Sequence, residues 1–104
     1  MPRIPTHRVS SHPGEILREE YLGPLELSAN ALARRLGVDT PRINDIVRER
    51  RAVTPDTALR LGVFFKTGPE FWMNLQLAHD LSKAQLETGE DIRQSVRPLE
   101  PATE

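Results

Sequence analysis

The sequence predicts an all-α domain of five helices, the fifth the longest, with short flexible ends. Between His12 and Gly89 nothing alternates with period two for long enough to make a strand, while several windows repeat apolar residues three and four positions apart. Prolines and glycines also recur where such windows begin and end, which is where each suits a helix.

The first helix is expected to open at His12-Pro13-Gly14-Glu15. Proline fits the first helical position and an early glutamate favours the helix dipole. Ile16, Leu17, Tyr21 and Leu22 supply its buried stripe, and Gly23-Pro24 is expected to end it. Ser28 is the N-cap of a second helix that turns Ala31, Leu32 and Leu36 inward and stops at Gly37. A short third helix begins near Asp39 or Thr40, with Pro41 in its first turn and Ile43, Ile46 and Val47 on its inner side. Thr54-Pro55-Asp56 repeats the capping logic for a fourth helix. Ala58, Leu59, Leu61, Val63 and Phe65 are available there for the core, and Thr67-Gly68 closes it. Pro69-Glu70 opens the fifth helix, with Phe71, Trp72, Leu75, Ala78, Leu81 and Leu86 at helical spacing up to Gly89. The organisation expected is a flexible arm over residues 1–11, a helical domain over 12–89 and a mobile tail over 90–104.

A length of 104 residues, 38% hydrophobic and 28% charged, fits one domain. The chain has no cysteine, which excludes a disulfide framework, a thiolate metal site and a cysteine nucleophile, and is compatible with a reducing cytoplasm. No apolar stretch approaches the roughly 20 residues that span a bilayer, and the start MPRIPTHR has no signal-peptide hydrophobic region, so no membrane association is expected. The three histidines, His7, His12 and His79, have none of the pairings of a zinc site. No serine stands in a nucleophile elbow and no glycine-rich phosphate loop exists. Neither an enzyme nor a bound cofactor or metal is expected. The aromatic residues are expected to be core, and His79 to be a packed or interface histidine.

The net charge of -1 argues against a nucleic-acid binder until it is divided along the chain. Between Ser28 and Arg51 six arginines face three acids, whereas the segments before and after are both net acidic. This basic segment is also where the spacing is most specific. A DNA-binding helix-turn-helix needs two helices crossing steeply through a short turn. Ala33 is small enough for the crossing, Gly37 suits the turn, and Val38, Ile43 and Ile46 anchor the second helix. An ordinary helical hairpin would explain these apolar positions equally well, but not the outward face.

That face carries Thr40, Pro41, Arg42, Asn44, Asp45 and Arg48, with no aliphatic side chain to mark a protein interface. Arginine can donate two parallel bonds to guanine, asparagine can pair with adenine, and threonine offers a hydroxyl and a methyl to a base edge. These are the expected base-reading residues. Asp45, which phosphate would repel, is expected to orient Arg42 or Arg48 or to accept from cytosine. Ser28, Asn30, Arg34 and Arg35 before the turn, and Arg50 and Arg51 after the second helix, are expected to contact phosphate.

With these residues laid out, the chain resembles the HigA family of antitoxins. The likeness rests on HPGEILREEYLGPLELS at the first helix, ALARRLGV and RINDIVRERR across the motif, and TPDTALRLGVFFKTGPEFWMNLQ beyond it, from His12 to about Leu81. The sequence departs from the commoner pattern at Ala29-Asn30, where glutamine is frequent, and at Gly68, where serine is usual. The resemblance implies a Cro/repressor-type domain that forms a homodimer, binds an inverted repeat in its own promoter and complexes a HigB toxin of the RelE-like, mRNA-cleaving type. It maps the family's base-reading face onto Thr40, Arg42, Asn44 and Arg48. A stand-alone phage-like or metabolic repressor with no toxin is the alternative. The preferred dimer surface is the fifth helix through Leu75, His79, Leu81 and Leu86, with the first helix and N-terminal arm second.

Overall fold

The computed structural model describes residues 8–101, and every regular element among them is helical. Five helical rods follow one another: α1 over residues 13–25, α2 (Ala29–Leu36), α3 (Thr40–Val47), α4 (Pro55–Phe65) and α5 (Pro69–Ser95). The N-caps work as the side chains suggest. Ser28 Oγ accepts from the Ala31 N–H at 3.0 Å, and Thr54 Oγ1 from the Thr57 N–H at 3.4 Å. At the start of α1 the cap is His12, whose Nδ1 accepts from the Gly14 N–H at 2.8 Å.

The α1 helix does not stop at Gly23-Pro24. Leu17–Leu22 forms a π turn, and Gly23–Leu25 adds one more α turn before Glu26 ends the rod in the left-handed conformation at φ 53°. A proline inside a regular helix leaves a carbonyl without its donor and crowds the preceding turn. The wider π turn, in which the Gly23 N–H reaches back to the Arg18 carbonyl, comes immediately before Pro24 and opens the ladder there.

The α5 helix likewise passes through Gly89 to Ser95, so residues 90–95 belong to the helix. A lone glycine costs a helix only about 1 kcal/mol relative to alanine, and the following turn is laced by Arg93 and Gln94 hydrogen bonds to the Glu90 carboxylate at 2.7 and 3.1 Å. At about 1.5 Å per residue its 27 residues span about 40 Å, the larger part of the 62 Å long dimension of the molecule. Of the expected arm and tail, residues 1–7 and 102–104 lie outside the described residues. Ser10 is fastened to α5: its N–H donates to Ser82 Oγ at 2.8 Å, and its carbonyl accepts from His79 Nδ1 at 2.8 Å.

The core joins all five helices through Leu17, Leu32, Ala33, Ile43, Ile46, Ala58, Leu61 and Trp72, each fully buried. Tyr21 packs on Phe65 and Trp72 at ring-centroid distances of 4.7 and 5.2 Å, and the Trp72 indole N–H donates to Thr67 Oγ1 at 2.9 Å. Gln76, also buried, accepts the Val53 N–H at 2.7 Å, tying the loop before α4 to α5. Several residues expected inside are exposed: Leu59 and Val63 on α4, and Ala78, Leu81 and Leu86 on α5. The α4 helix is apolar on more than one side, so its pattern offered two inward faces, and Ala58 and Leu61 took the core.

Candidate nucleic-acid interface

The α2–turn–α3 unit is built on a buried seam. Ala33, Ile43 and Ile46 are fully buried, and Val38 is half-buried against them. Gly37 sits at φ 74°, a conformation that costs most side chains free energy. Its N–H and that of Val38 return to the Arg34 and Ala33 carbonyls at 3.2 and 3.0 Å, closing α2 and turning the chain into α3. Pro41 lies in the first turn of α3, as its missing N–H allows.

With Ile43 and Ile46 inside, the 3.6-residue period sends Pro41, Asp45 and Arg48 directly outward, with Asn44 and Thr40 toward one flank and Arg42 toward the other. Both flanks are tied down. On one, Asn44 Nδ2 donates to Asn30 Oδ1 of α2 at 2.8 Å and to the Thr40 carbonyl at 3.3 Å. On the other, Arg42 Nη1 lies 2.6 Å from Asp56 Oδ2 and 3.4 Å from Thr57 Oγ1, both in the first turn of α4. Asp56 also receives Arg60 Nε at 3.0 Å. The hydrogen bonds from Arg42 and Arg60 hold its carboxyl below the usual carboxylate range.

Asp45 orients neither Arg42 nor Arg48, as the sequence suggested it would; its ion pair is with Arg51 at 3.5 Å. The α3 helix ends at Arg48, and the left-handed residue Glu49 turns the chain, which brings Arg51 back beside its last turn.

The expected phosphate contacts divide into two groups. Arg34 and Arg50 are exposed and have no ion-pair partner among the described residues, whereas Arg51 is paired with Asp45. Arg35 instead lies over the Phe64 ring of α4, 5.1 Å from its centroid. Ser28 uses its hydroxyl oxygen as the α2 cap, and Asn30 uses its carbonyl oxygen to hold Asn44.

The buttress behind α3 was not read from the sequence. Arg18 of α1 donates to the Val47 carbonyl at the end of α3 and lies 3.3 Å from Glu49 Oε2. Gly14 packs so closely on the Ile46 carbonyl that a Cβ there would overlap it. The HPG start of α1 is therefore shaped to seat the C-terminal end of α3. The only advance signal was the crowding of His12, Pro13 and Gly14, which also reads as an ordinary helix start. Among the described residues no helix is long and apolar enough to cross a membrane, and no group of His, Asp or Glu could hold a metal ion.

The arrangement recurs in known proteins. Residues 17–72 match the Helix-turn-helix family model. Virulence-associated protein I of Dichelobacter nodosus is 58% identical over 74 residues, which cover 71% of this chain and 68% of that protein. The structure of the Pseudomonas aeruginosa antitoxin HigA with the higBA promoter superposes with a TM-score of 0.83 at 48% identity, over 86% of this chain and 97% of that one. Antitoxin GraA in complex with its operator gives 0.87 at 48% identity, over 95% and 100%.

Proposed function

Since the chain belongs to the HigA family of helix-turn-helix antitoxins and regulators, we propose that it represses its own operon and neutralises a toxin encoded beside it. It does so as a homodimer on an inverted repeat, and its toxin is a RelE-like, mRNA-cleaving protein. The observation that carries the DNA half of this reading is the outward face of α3. Arg42, Asn44 and Arg48 stand on a fully anchored helix, with Arg34 and Arg50 beside it and without an ion-pair partner among the described residues, and relatives of the same fold are solved with a promoter and with an operator.

In this reading Thr40, Pro41, Arg42, Asn44, Asp45 and Arg48 face base edges in the major groove, and Ser28, Asn30, Arg34, Arg35, Arg50 and Arg51 line the backbone. A dimer follows from scale. One small module buries limited area on DNA, and two half-sites about one helical turn apart add affinity and fix register. The toxin half is supported by family membership and by the charge division, in which a net acidic remainder of the chain suits a basic, RNA-cleaving partner.

The test is co-expression with the small basic protein encoded next to this chain, scoring growth and co-purification, alongside protection of the shared promoter. Growth rescue with co-purification and a protected inverted repeat is the expected result. A protected promoter without a neighbouring toxin would leave the stand-alone repressor. No protection would remove the DNA half.

A further inference from the structure

The second half of α5 stands clear of the other helices. Its last side-chain anchor to another segment is Ser82, whose Oγ accepts from the Ser10 N–H at 2.8 Å. From Lys83 to Ser95 every residue except Gly89 is exposed, and the side-chain hydrogen bonds of Thr88, Arg93, Gln94 and Ser95 stay within the helix. A helix of this length draws most of its stability from packing one face on something else.

Such a face is present. Leu81, Ala84, Gln85, Thr88 and Ile92 recur three and four apart and so form one stripe. Leu81 and Ile92 are 52% and 53% exposed, and the Thr88 hydroxyl is taken up by the Ala84 carbonyl at 3.0 Å. Leu75, His79 and Leu86, which the sequence grouped with Leu81, lie on another side of the helix, where His79 holds Ser10. Along one edge of the stripe run Asp80, Glu87 and Asp91, and Glu87 and Asp91 have no ion-pair partner among the described residues. The remaining charges of this part of the helix stand elsewhere. Lys83 and Glu90 are on the far side, and Arg93, on the other edge, is held by the Glu90 carboxylate at 2.7 Å.

We propose that this stripe and its acidic edge seat the toxin. The inference rests on the toxin-neutralising reading and supplies the surface that reading lacks. An RNA-cleaving protein carries positive charge to hold phosphates. A helix with an apolar stripe and a carboxylate edge fits a groove of apolar floor and basic rim on such a protein. A second copy of the chain fits less well, since paired helices need large branched side chains along the seam and this one has Ala84, Gln85 and Thr88 at its centre. The α1 helix is acidic as well, through Glu15, Glu19, Glu20 and Glu26, but of its large apolar side chains only Leu25 is exposed.

The experiment is calorimetric titration of the full chain with the purified small basic protein encoded beside it. The chains compared are wild type, Ile92→Glu, the double variant Glu87→Lys with Asp91→Lys, and Glu20→Lys on α1. Circular dichroism, sedimentation and operator titration accompany each. Wild type and Glu20→Lys are expected to bind the toxin alike. Ile92→Glu should weaken that binding on the order of 30-fold, and the double variant about tenfold with a flatter salt dependence. All four should keep their helical content, mass and operator affinity. Toxin binding undiminished in both α5 variants, or lost only in Glu20→Lys, overturns the assignment of this surface. A fall in mass for the α5 variants assigns the stripe to a second copy and also overturns it. A wild type that does not bind the basic protein removes the toxin half of the functional reading and this proposal with it.

Discussion

Arg42, on the flank of α3 that faces α4, is held by Asp56 at 2.6 Å. The pair is partly solvent-exposed on the arginine side and more so on the carboxylate side, a setting in which an ion pair contributes about 0–1 kcal/mol. A DNA base edge can therefore compete for the guanidinium. Arg42→Ala should lower affinity for the cognate operator by about 1–3 kcal/mol and leave random-sequence binding nearly unchanged. Asp56→Asn, which frees Arg42 and removes a negative charge, should raise operator affinity a few-fold. Equilibrium titrations on cognate and scrambled duplexes check both, and equal losses on the two duplexes for Arg42→Ala would count against base reading.

Asn30 holds Asn44 through its side-chain carbonyl, so its removal acts first on the α3 side chain that it restrains. Asn30→Ala should blunt discrimination at the base pair that Asn44 faces and leave the slope of log affinity against log salt as it was. Competition among single-base-pair operator variants measures the first, and a salt titration the second. A slope flattened by about one unit would restore Asn30 to the phosphate contacts.

The two arginines at the end of α2 should behave differently. Arg34 is exposed and unpaired among the described residues, whereas Arg35 lies over Phe64. Arg34→Ala and Arg50→Ala should each flatten the salt slope by about one unit. Arg35→Ala should change it little and instead lower stability by about 0.5–1 kcal/mol through the lost stacking. Salt-dependent binding and denaturant unfolding of the three variants separate these outcomes.

His12 gives the fold a pH dependence. Its pKa is lowered below 6.5 by desolvation first and then by the neighbouring His79, and its Nδ1 must be unprotonated to accept the Gly14 N–H. The unfolded chain therefore binds the proton more readily than the folded one. The stabilisation is fully present above pH 6.5 and is lost as pH falls through the lower, folded-state value. Thermal melts from pH 8 to pH 5 should show Tm declining through this window. His12→Asn keeps a capping side chain without the titration and should flatten that part of the profile; an unchanged decline would place its origin elsewhere.

Gly14 seats on the Ile46 carbonyl with no room for a methyl group. Gly14→Ala must push α1 away from the end of α3 and should cost about 1–3 kcal/mol as an overpacking change. Because Arg18 of α1 also donates to the Val47 carbonyl, the shift reaches α3. Operator affinity should fall at temperatures where the variant is still folded. Denaturant midpoints and operator titrations at low temperature check the two effects, and a stable variant with normal binding would remove the buttress role.

Serine, threonine and proline at helix starts marked where all five rods begin, and glycine marked the α2 turn, because caps and turns are satisfied within a few residues. Gly23-Pro24 and Gly89 misled for the complementary reason. A breaker is a local cost, and a π turn in α1 and an ion-paired last turn in α5 offset it. The α4 face could not be chosen locally, since Leu59 and Leu61 are equally apolar and only packing against α5 decides which is buried.

By itself the sequence determined the five-helix order, the buried seam of Ala33, Ile43 and Ile46, and the identity of the side chains on the outward face of α3. Periodicity and short-range hydrogen bonds encode all of these. Only the tertiary structure decided which of those side chains are restrained and by whom. Arg42 with Asp56, Asn44 with Asn30, Asp45 with Arg51 and Arg35 with Phe64 are pairings between residues on different segments. Three polar pairings and one cation over an aromatic ring leave no trace in spacing or composition, because each depends on where packing of the apolar faces brings two surfaces together.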